Sequence, residues 1–465
     1  MGPTSKEIRV RIAPSPTGYL HIGTARTALF NFLFARHQGG KFVLRIEDTD
    51  SERSKKEFED DIINSLKWLG ITWDEGPIRQ SERLDLYELH LNKLLKLGAA
   101  YYCFCSEEEL EQQRAAFMAE GLPPKYNGKC RALNSLESAQ RVQRGDEHVI
   151  RFRIPEEEIK FKDIIRGGLS FDGALLGDVV IAKDIRSPLY NFAVAVDDYD
   201  MKISHVIRGE DHLANTPKQI AIQRALGFSQ PEYAHLPLIL NPDRSKMSKR
   251  FAATAVQEYK DQGYLPAALF NFIAFLGWHP KDNKEILSRE ELTEEFSLER
   301  VQKAGAIFNI DKLEWINSQY LKTLGDSELA ALVGEQNVKI VALVRGRMKK
   351  LTDYKPLSDF FLRLPDYESG LLIWKTSSKS DMAENLRSLR AILSEVDDRA
   401  FTKEHLESFV APMAEKRGKG EVFWPFRVAV SGSDASPGPL EIAEALGKSE
   451  TLRRLEIAIK KLGSG

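Results

Sequence analysis

Two short stretches carry the residue types that phosphate chemistry requires. The first is PSPTGYLHIGT, residues 14–24, lying between a strand-like run and a helix-like run. Backbone N–H groups at the start of a helix point at an anion, and the helix dipole favours negative charge there. His21 and Thr24 add side-chain donors for phosphate oxygens, and Gly23 leaves room for a flat base against the backbone. The second stretch is DRSKMSKR, residues 243–250, a basic loop after the apolar segment Leu236–Leu240. Its Lys246 and Lys249 flank Met247 and Ser248. They can neutralise the outer phosphates of a nucleotide as pyrophosphate departs. Taken singly, His21 reads equally as a solvated loop histidine and the lysine run as a solvated surface. The two together read as a nucleotide site.

The first stretch must be held by a strand, a loop and a helix. Ile8–Pro14 is a β-branched run closed by proline, and from Thr24 the residues Ala25, Ala28, Leu29, Phe32 and Leu33 recur at helical spacing. Phe42–Ile46 follows as a compact apolar strand, so the unit is βαβ and a parallel sheet is expected. Helices are expected at Ser54–Leu69 and Leu84–Leu97. Between about Tyr101 and Ser187 the character changes. That stretch holds all three cysteines, a charged helix at Glu107–Ala119 and short strands at Val149–Ile154, Leu169–Phe171 and Asp178–Ala182. It reads as an α+β insertion. The parallel unit resumes with the strand Ile203–Arg208, and Asn215-Thr216-Pro217 has the N-cap and N1 chemistry of a helix start. Beyond about Pro237 the pattern is helical, with amphipathic runs at Leu265–Leu276, Ser327–Val333, Ser380–Leu393 and Thr451–Leu462.

The chain has 465 residues, enough at roughly 100–200 per domain for three or four domains. With 42% apolar and 29% charged residues it is neither disordered nor collagen-like. No apolar run approaches the ~20 residues of a membrane span, and the polar opening Met1–Arg11 has no signal core, so neither insertion nor export is expected. Three cysteines cannot make a disulfide framework, which points to a reducing compartment, the cytoplasm. The net charge is −2, and from Val301 onward 25 basic residues face 23 acidic ones. A polyanionic partner must therefore be met by local patches.

The two stretches resemble the paired signature motifs of class I aminoacyl-tRNA synthetases, and the strings RIAPSPTG, LRIEDTD, VIRGED and KMSKR resemble those of the glutamyl-tRNA synthetases. The resemblance is dense from Arg11 to about Tyr320 and looser beyond. It implies an α/β fold: a Rossmann-like catalytic domain (1–100 and 188–237) split by an acceptor-end-binding α+β insertion (101–187), then a stem-contact domain (238–325) and an all-helical anticodon-binding region (326–465). It implies ATP and Mg²⁺ as cosubstrates and tRNA-Glu and L-glutamate as partners, with a glutamyl-adenylate intermediate. A monomer is expected. The attacking carboxylate is already anionic, so positioning and charge stabilisation suffice and no nucleophilic triad is needed. Thr24 stands where the first motif usually ends in histidine, and its hydroxyl still donates.

By the same resemblance His21, Gly23, Thr24, Lys246, Met247, Ser248 and Lys249 hold ATP, with His21, Thr24, Lys246 and Lys249 catalytic. Arg11 with Tyr190 faces the γ-carboxylate of glutamate, Arg208 the α-carboxylate and Glu47 the ammonium, while Ala13 and Ser15 make backbone or hydroxyl contacts. Val194 stands where some relatives carry asparagine. Bound glutamine would then leave an arginine buried and unpaired, at several kcal/mol. Cys103, Cys105 and Cys130 match the spacing of a structural zinc site whose usual fourth ligand is Ala132 here, and Tyr126 could take that place. The alternative is three reduced thiols. Arg347 is placed at the third anticodon base. Phe423-Trp424-Pro425-Phe426-Arg427 reads either as a base-stacking strip or, more simply, as an aromatic core cluster. A nucleotidyltransferase would leave the KMSKR loop and the helical C-terminal region without a role, and a non-catalytic scaffold would have no use for His21, Gly23, Lys246 and Lys249.

Overall fold

A computed structural model describes residues 7–50, 52–247 and 254–463. The chain divides into two compact units: residues 1–261 with 266–313, and residues 262–265 with 314–465.

The first unit is built on parallel strands. β1 (Arg9–Ile12), β2 (Lys41–Ile46) and β3 (Glu75–Arg79) pair in that order, with Arg11 opposite Val43. The helix α1 (Ile22–His37) makes the β1–β2 crossover and is buried along most of its length, as its near-continuous apolar sequence requires. Helices α2 (Lys56–Trp68) and α3 (Leu84–Lys96) follow the expected amphipathic pattern. On the far side of β1 lies β9 (His205–Gly209), reached where the Ser204 N–H donates to the Arg9 carbonyl at 2.9 Å. β9 pairs in parallel with β10 (Glu232–Leu236), which sets Arg208 directly opposite His235. The strand order thus reverses between β1 and β9, and in open α/β sheets ligands bind beyond the strand ends at such a switch point.

The insertion contributes two pieces. β4 (Ala100–Cys103), β5 (Val149–Phe152) and β8 (Val179–Ala182) form an antiparallel sheet with the helices α4 (Glu107–Ala119) and α5 (Ser135–Gln143) in the intervening chain. The hairpin of β6 (Glu158–Asp163) and β7 (Gly167–Asp172) instead joins the catalytic sheet, because β6 pairs in parallel with β10. The alternation of Ile159 and Phe161 with Lys160 and Lys162 is a strand pattern, overlooked in a stretch dense with charge. A one-turn helix α6 (Gly173–Leu176) precedes β8; α7 (Tyr190–Asp200) and α8 (Thr216–Leu226) then bracket β9. Asn215 holds the N-cap position of α8 with proline in the first turn, as expected, but it ends a 3₁₀ turn in helical conformation and its side chain makes no capping bond. The turn already presents its carbonyls and amides in helical register, so no cap is needed.

The second unit is helical from Asp326–Val333 to Lys448–Gly463. Phe426 and Pro425 are buried within the helix Lys419–Ser431, and the Trp424 indole donates to the Leu371 carbonyl at 2.9 Å. The strip is thus core at Pro425 and Phe426, while Phe423, Trp424 and Arg427 are half-buried. Arg347 lies exposed in the turn after Val338–Arg345, whereas Arg345 is tied to the Leu324 carbonyl. Among the described residues no helix is long and apolar enough to cross a membrane.

Candidate active site

The strand ends of the first unit open into one cavity of about 1190 Å³. Arg11, Ala13, Ser15, Glu47, Tyr190 and Arg208 all line it, and so do His21, Gly23, Thr24, Lys246 and Met247. Ser248 and Lys249 lie outside the described residues. Val194 is buried in the core of α7 and is not among the lining residues.

The first motif is a helix N-terminus. His21 is the N-cap of α1, and its Nδ1 accepts the Gly23 N–H at 3.0 Å, which leaves the ring proton on Nε2 as a donor. A Cβ on Gly23 would stand 3.3 Å from that Nδ1 and crowd the ring. The residues after the lysine loop are stitched to this motif: the Ile22 N–H donates to the Thr254 carbonyl at 2.8 Å and the Val256 N–H to the Leu20 carbonyl at 2.9 Å. On the near side, Asn241–Met247 is a tight turn, with Asn241 Nδ2 donating to the Lys246 carbonyl and Met247 N–H returning to Ile239. Both ends of the loop are thereby anchored at the cavity that α1 opens.

The same cavity is bordered by a charge network. Arg11 donates from Nε and Nη2 to Asp198 at 3.0 and 3.4 Å, and Arg45, fully buried, donates to Asp198 at 2.7 Å and to Glu47 at 3.1 Å. Asp197 is tied to Gln80, Arg83 and Tyr87. Burial pushes the Glu47 carboxyl up, against the pull of Arg45 and Arg11. A carboxylate so held gains from an incoming cation. Burial, then the Glu47 charge, pushes the Tyr190 phenol up to about 12, so it stays a protonated donor; it is bonded to His212 at 3.0 Å. His212 is pushed down to about 4 by burial and by Arg208, and is neutral at pH 7.

Arg208 differs from Arg11. It is buried, its Nη2 donates to Thr216 Oγ1 at 2.8 Å and its Nε to His235 Nε2 at 3.4 Å, but its Nη1 is buried with no partner. An unpartnered guanidinium N–H on a residue that lines a cavity suits an anionic ligand group. Arg11, by contrast, already has a carboxylate partner. The expectation that glutamine would strand an unpaired arginine therefore needs correction at Arg11: Asp198, which it shares with Arg45, already pairs its charge, whereas Arg208 has no carboxylate bonded to it.

Asp198, Arg45, Thr216 and His235 were missed by sequence reasoning. Two adjacent aspartates in the otherwise apolar run YNFAVAVDDYD were a legible signal, since buried carboxylates require cations. His235 sits in an apolar strand, and its partners come from distant segments.

The insertion holds a second cluster. The sulfurs of Cys103, Cys105 and Cys130 lie within 4.8 Å of one another, Tyr126 Oη is 3.5 Å from both Cys103 and Cys105, and Cys105 Sγ is 3.6 Å from Cys130 Sγ. A tetrahedron of zinc ligands has edges of about 3.5–3.8 Å. Three thiols and a phenol at these separations are a candidate donor set for zinc, with the Tyr126 oxygen also accepting the Cys130 N–H at 2.8 Å. Ala132 ends the one-turn helix Lys129–Ala132 and offers no ligand atom.

The sequence matches the family described as "tRNA synthetases class I (E and Q), catalytic domain" over residues 7–315, and "Anticodon binding domain" over residues 298–459. It is 47% identical to "Glutamate--tRNA ligase 2" of Thermoanaerobacter pseudethanolicus, covering 97% of this chain and 98% of the relative. It is 44% identical to the glutamate–tRNA ligase of Sulfurihydrogenibium sp., covering 98% and 100%. The crystal structure of a glutamate tRNA ligase from Elizabethkingia meningosepticum in complex with its amino acid superposes with a TM-score of 0.89 at 35% identity, over 98% of this chain and 100% of that one.

Proposed function

The chain belongs to the class I glutamate–tRNA ligases, and we propose that its cavity performs their reaction, attaching L-glutamate to tRNA-Glu at the expense of ATP. The observation that carries this reading is one cavity lined both by the α1 N-terminus and Lys246 and by Arg11, Glu47 and Arg208. A triphosphate lies with its α-phosphate at the amide-rich end of α1, where His21 Nε2–H and Thr24 donate to its oxygens. Lys246, joined by Lys249, offsets charge on the departing pyrophosphate. Mg²⁺, which the family uses, supplies further neutralisation of the phosphate oxygens. Glutamate lies alongside, its ammonium on Glu47, its γ-carboxylate on Arg11 and Tyr190 and its α-carboxylate on Arg208, with Ala13 and Ser15 at its edge. The α-carboxylate attacks the α-phosphate, pyrophosphate leaves, and the terminal adenosine 2′-hydroxyl of tRNA then takes the glutamyl group and releases AMP.

The same reading assigns residues 101–187 to the acceptor end, 238–325 to the stem and 326–465 to the anticodon, with the exposed Arg347 at its third base. Cys103, Cys105, Tyr126 and Cys130 would hold zinc, which braces β4 against the following loop. The reading extends to a monomer working in the cytoplasm, supported by a cysteine content suited to a reducing compartment. Aminoacylation of tRNA-Glu and tRNA-Gln side by side tests it: product on tRNA-Glu alone is expected. No product on either refutes the activity, and product on both refutes the role given to Arg347.

A further inference from the structure

We infer that Thr216, His235 and Asp163 form a hydrogen-bond relay that positions Arg208 for the substrate α-carboxylate, an inference that rests on the assignment of Arg208 above. None of the three lines the cavity. Arg208 Nη2–H donates to Thr216 Oγ1 at 2.8 Å, and Thr216 Oγ1 lies 2.9 Å from His235 Nε2. His235 Nδ1 lies 2.7 Å from Asp163 Oδ2, in a pair with no exposed surface. A carboxylate facing Nδ1 holds the proton there, so Nε2 is an acceptor. The Thr216 hydroxyl then donates to Nε2 at 2.9 Å in preference to the His212 carbonyl at 3.3 Å and turns its lone pairs to the guanidinium, while Arg208 Nε, 3.4 Å from the same Nε2, lies on that side of the ring.

Asp163 is itself fixed: its Oδ1 accepts the N–H groups of Ile165 and Arg166, and its Oδ2 the His235 N–H. Asp163 ends β6 of the inserted segment, and Arg166, three residues on, is paired with Glu210, which in turn accepts the N–H of Leu238 in the cavity wall. The relay thus runs from the insertion to the guanidinium fork. With Nε and one Nη2–H held from behind, the second Nη2–H and the unpartnered Nη1 are the donors left for the anion. Thr216, His235 and Asp163 are positioning residues.

The test uses the full-length enzyme with tRNA-Glu. It compares the KM for glutamate with the inhibition constant of the glutamate α-alcohol, which keeps the ammonium and γ-carboxylate but lacks the α-carboxylate. Thr216→Val should raise the glutamate KM about tenfold, the loss expected of one hydrogen bond to a charged group. It should leave the α-alcohol constant and the ATP KM within about twofold, and Thr216→Ser should restore glutamate. Equal weakening of both ligands, or no rescue by serine, overturns the relay. If Thr216→Val does not fold, His235→Gln, which can keep an acceptor at the Nε2 position, should bind glutamate more tightly than His235→Met, with equality overturning the proposal. Arg208→Lys separates the premise: if it leaves the ratio of the two constants unchanged, the α-carboxylate assignment fails, whereas a changed ratio there and none in Thr216→Val overturns the relay alone.

Discussion

Asp198 bears the charge of two arginines, so removing its charge while keeping its shape has a worked consequence. It accepts from Arg11 and from Arg45 and is buried with them. In Asp198→Asn the amide nitrogen must face one of two guanidinium groups, so a donor meets a donor and both cations lose a counter-charge. Breaking a buried ion pair from one side costs about 3–5 kcal/mol. For a unit of this size that lowers the melting temperature by roughly 5–8 °C. The pH dependence has a definite sign. Burial raises the Asp198 carboxyl, but Arg11 and Arg45 outweigh it and hold it below the ordinary value. Its contribution is therefore present above the unfolded value of about 4 and lost as pH falls through the depressed folded one. Wild type and Asp198→Asn should differ at pH 7 and converge in acid. Arg11 also loses the partner that sets its plane, so the glutamate KM should rise about tenfold with the ATP KM little changed. Thermal melts across pH and aminoacylation kinetics check both effects. A melting temperature at pH 7 within about 1 °C of wild type would refute the reasoning.

His21→Ala should slow adenylate formation by about 10²–10³, the usual loss of one transition-state donor, and a drop of less than about threefold in tRNA-dependent pyrophosphate exchange would contradict the role of Nε2–H. Glu47 has a raised carboxyl and must be ionised to take the ammonium, so the glutamate KM should rise as pH falls through that raised value. Glu47→Gln should show a high KM with that acid limb removed, and an unchanged limb in this variant would count against it. Metal analysis of protein purified without chelator should find about one zinc per chain, lost in Cys130→Ser; well under one in the wild type would leave three reduced thiols as the correct description.

The local pieces were legible because their physics is local. The apolar spacing from Ala25 to Leu33 required a helix, and Glu107–Ala119, read from its charge pattern, is a helix over those same residues. His21, Gly23, Thr24 and Lys246 were legible as types at spacings, since helix N-termini and lysine loops meet anions by short-range geometry, whereas Arg11, Glu47, Tyr190 and Arg208 were legible only through the family resemblance. Tertiary structure alone decided who partners whom. Arg11 and Arg208 look alike as residues, yet one reaches the cavity already paired with Asp198, 187 positions away and shared with Arg45, and the other arrives with an orphaned N–H. His235 gained its role only when β10 settled between β9 and β6, setting Arg208 and Asp163 on either side of it. Strand pairing between distant segments is chosen by burial of the whole sheet, and no window of sequence contains that choice.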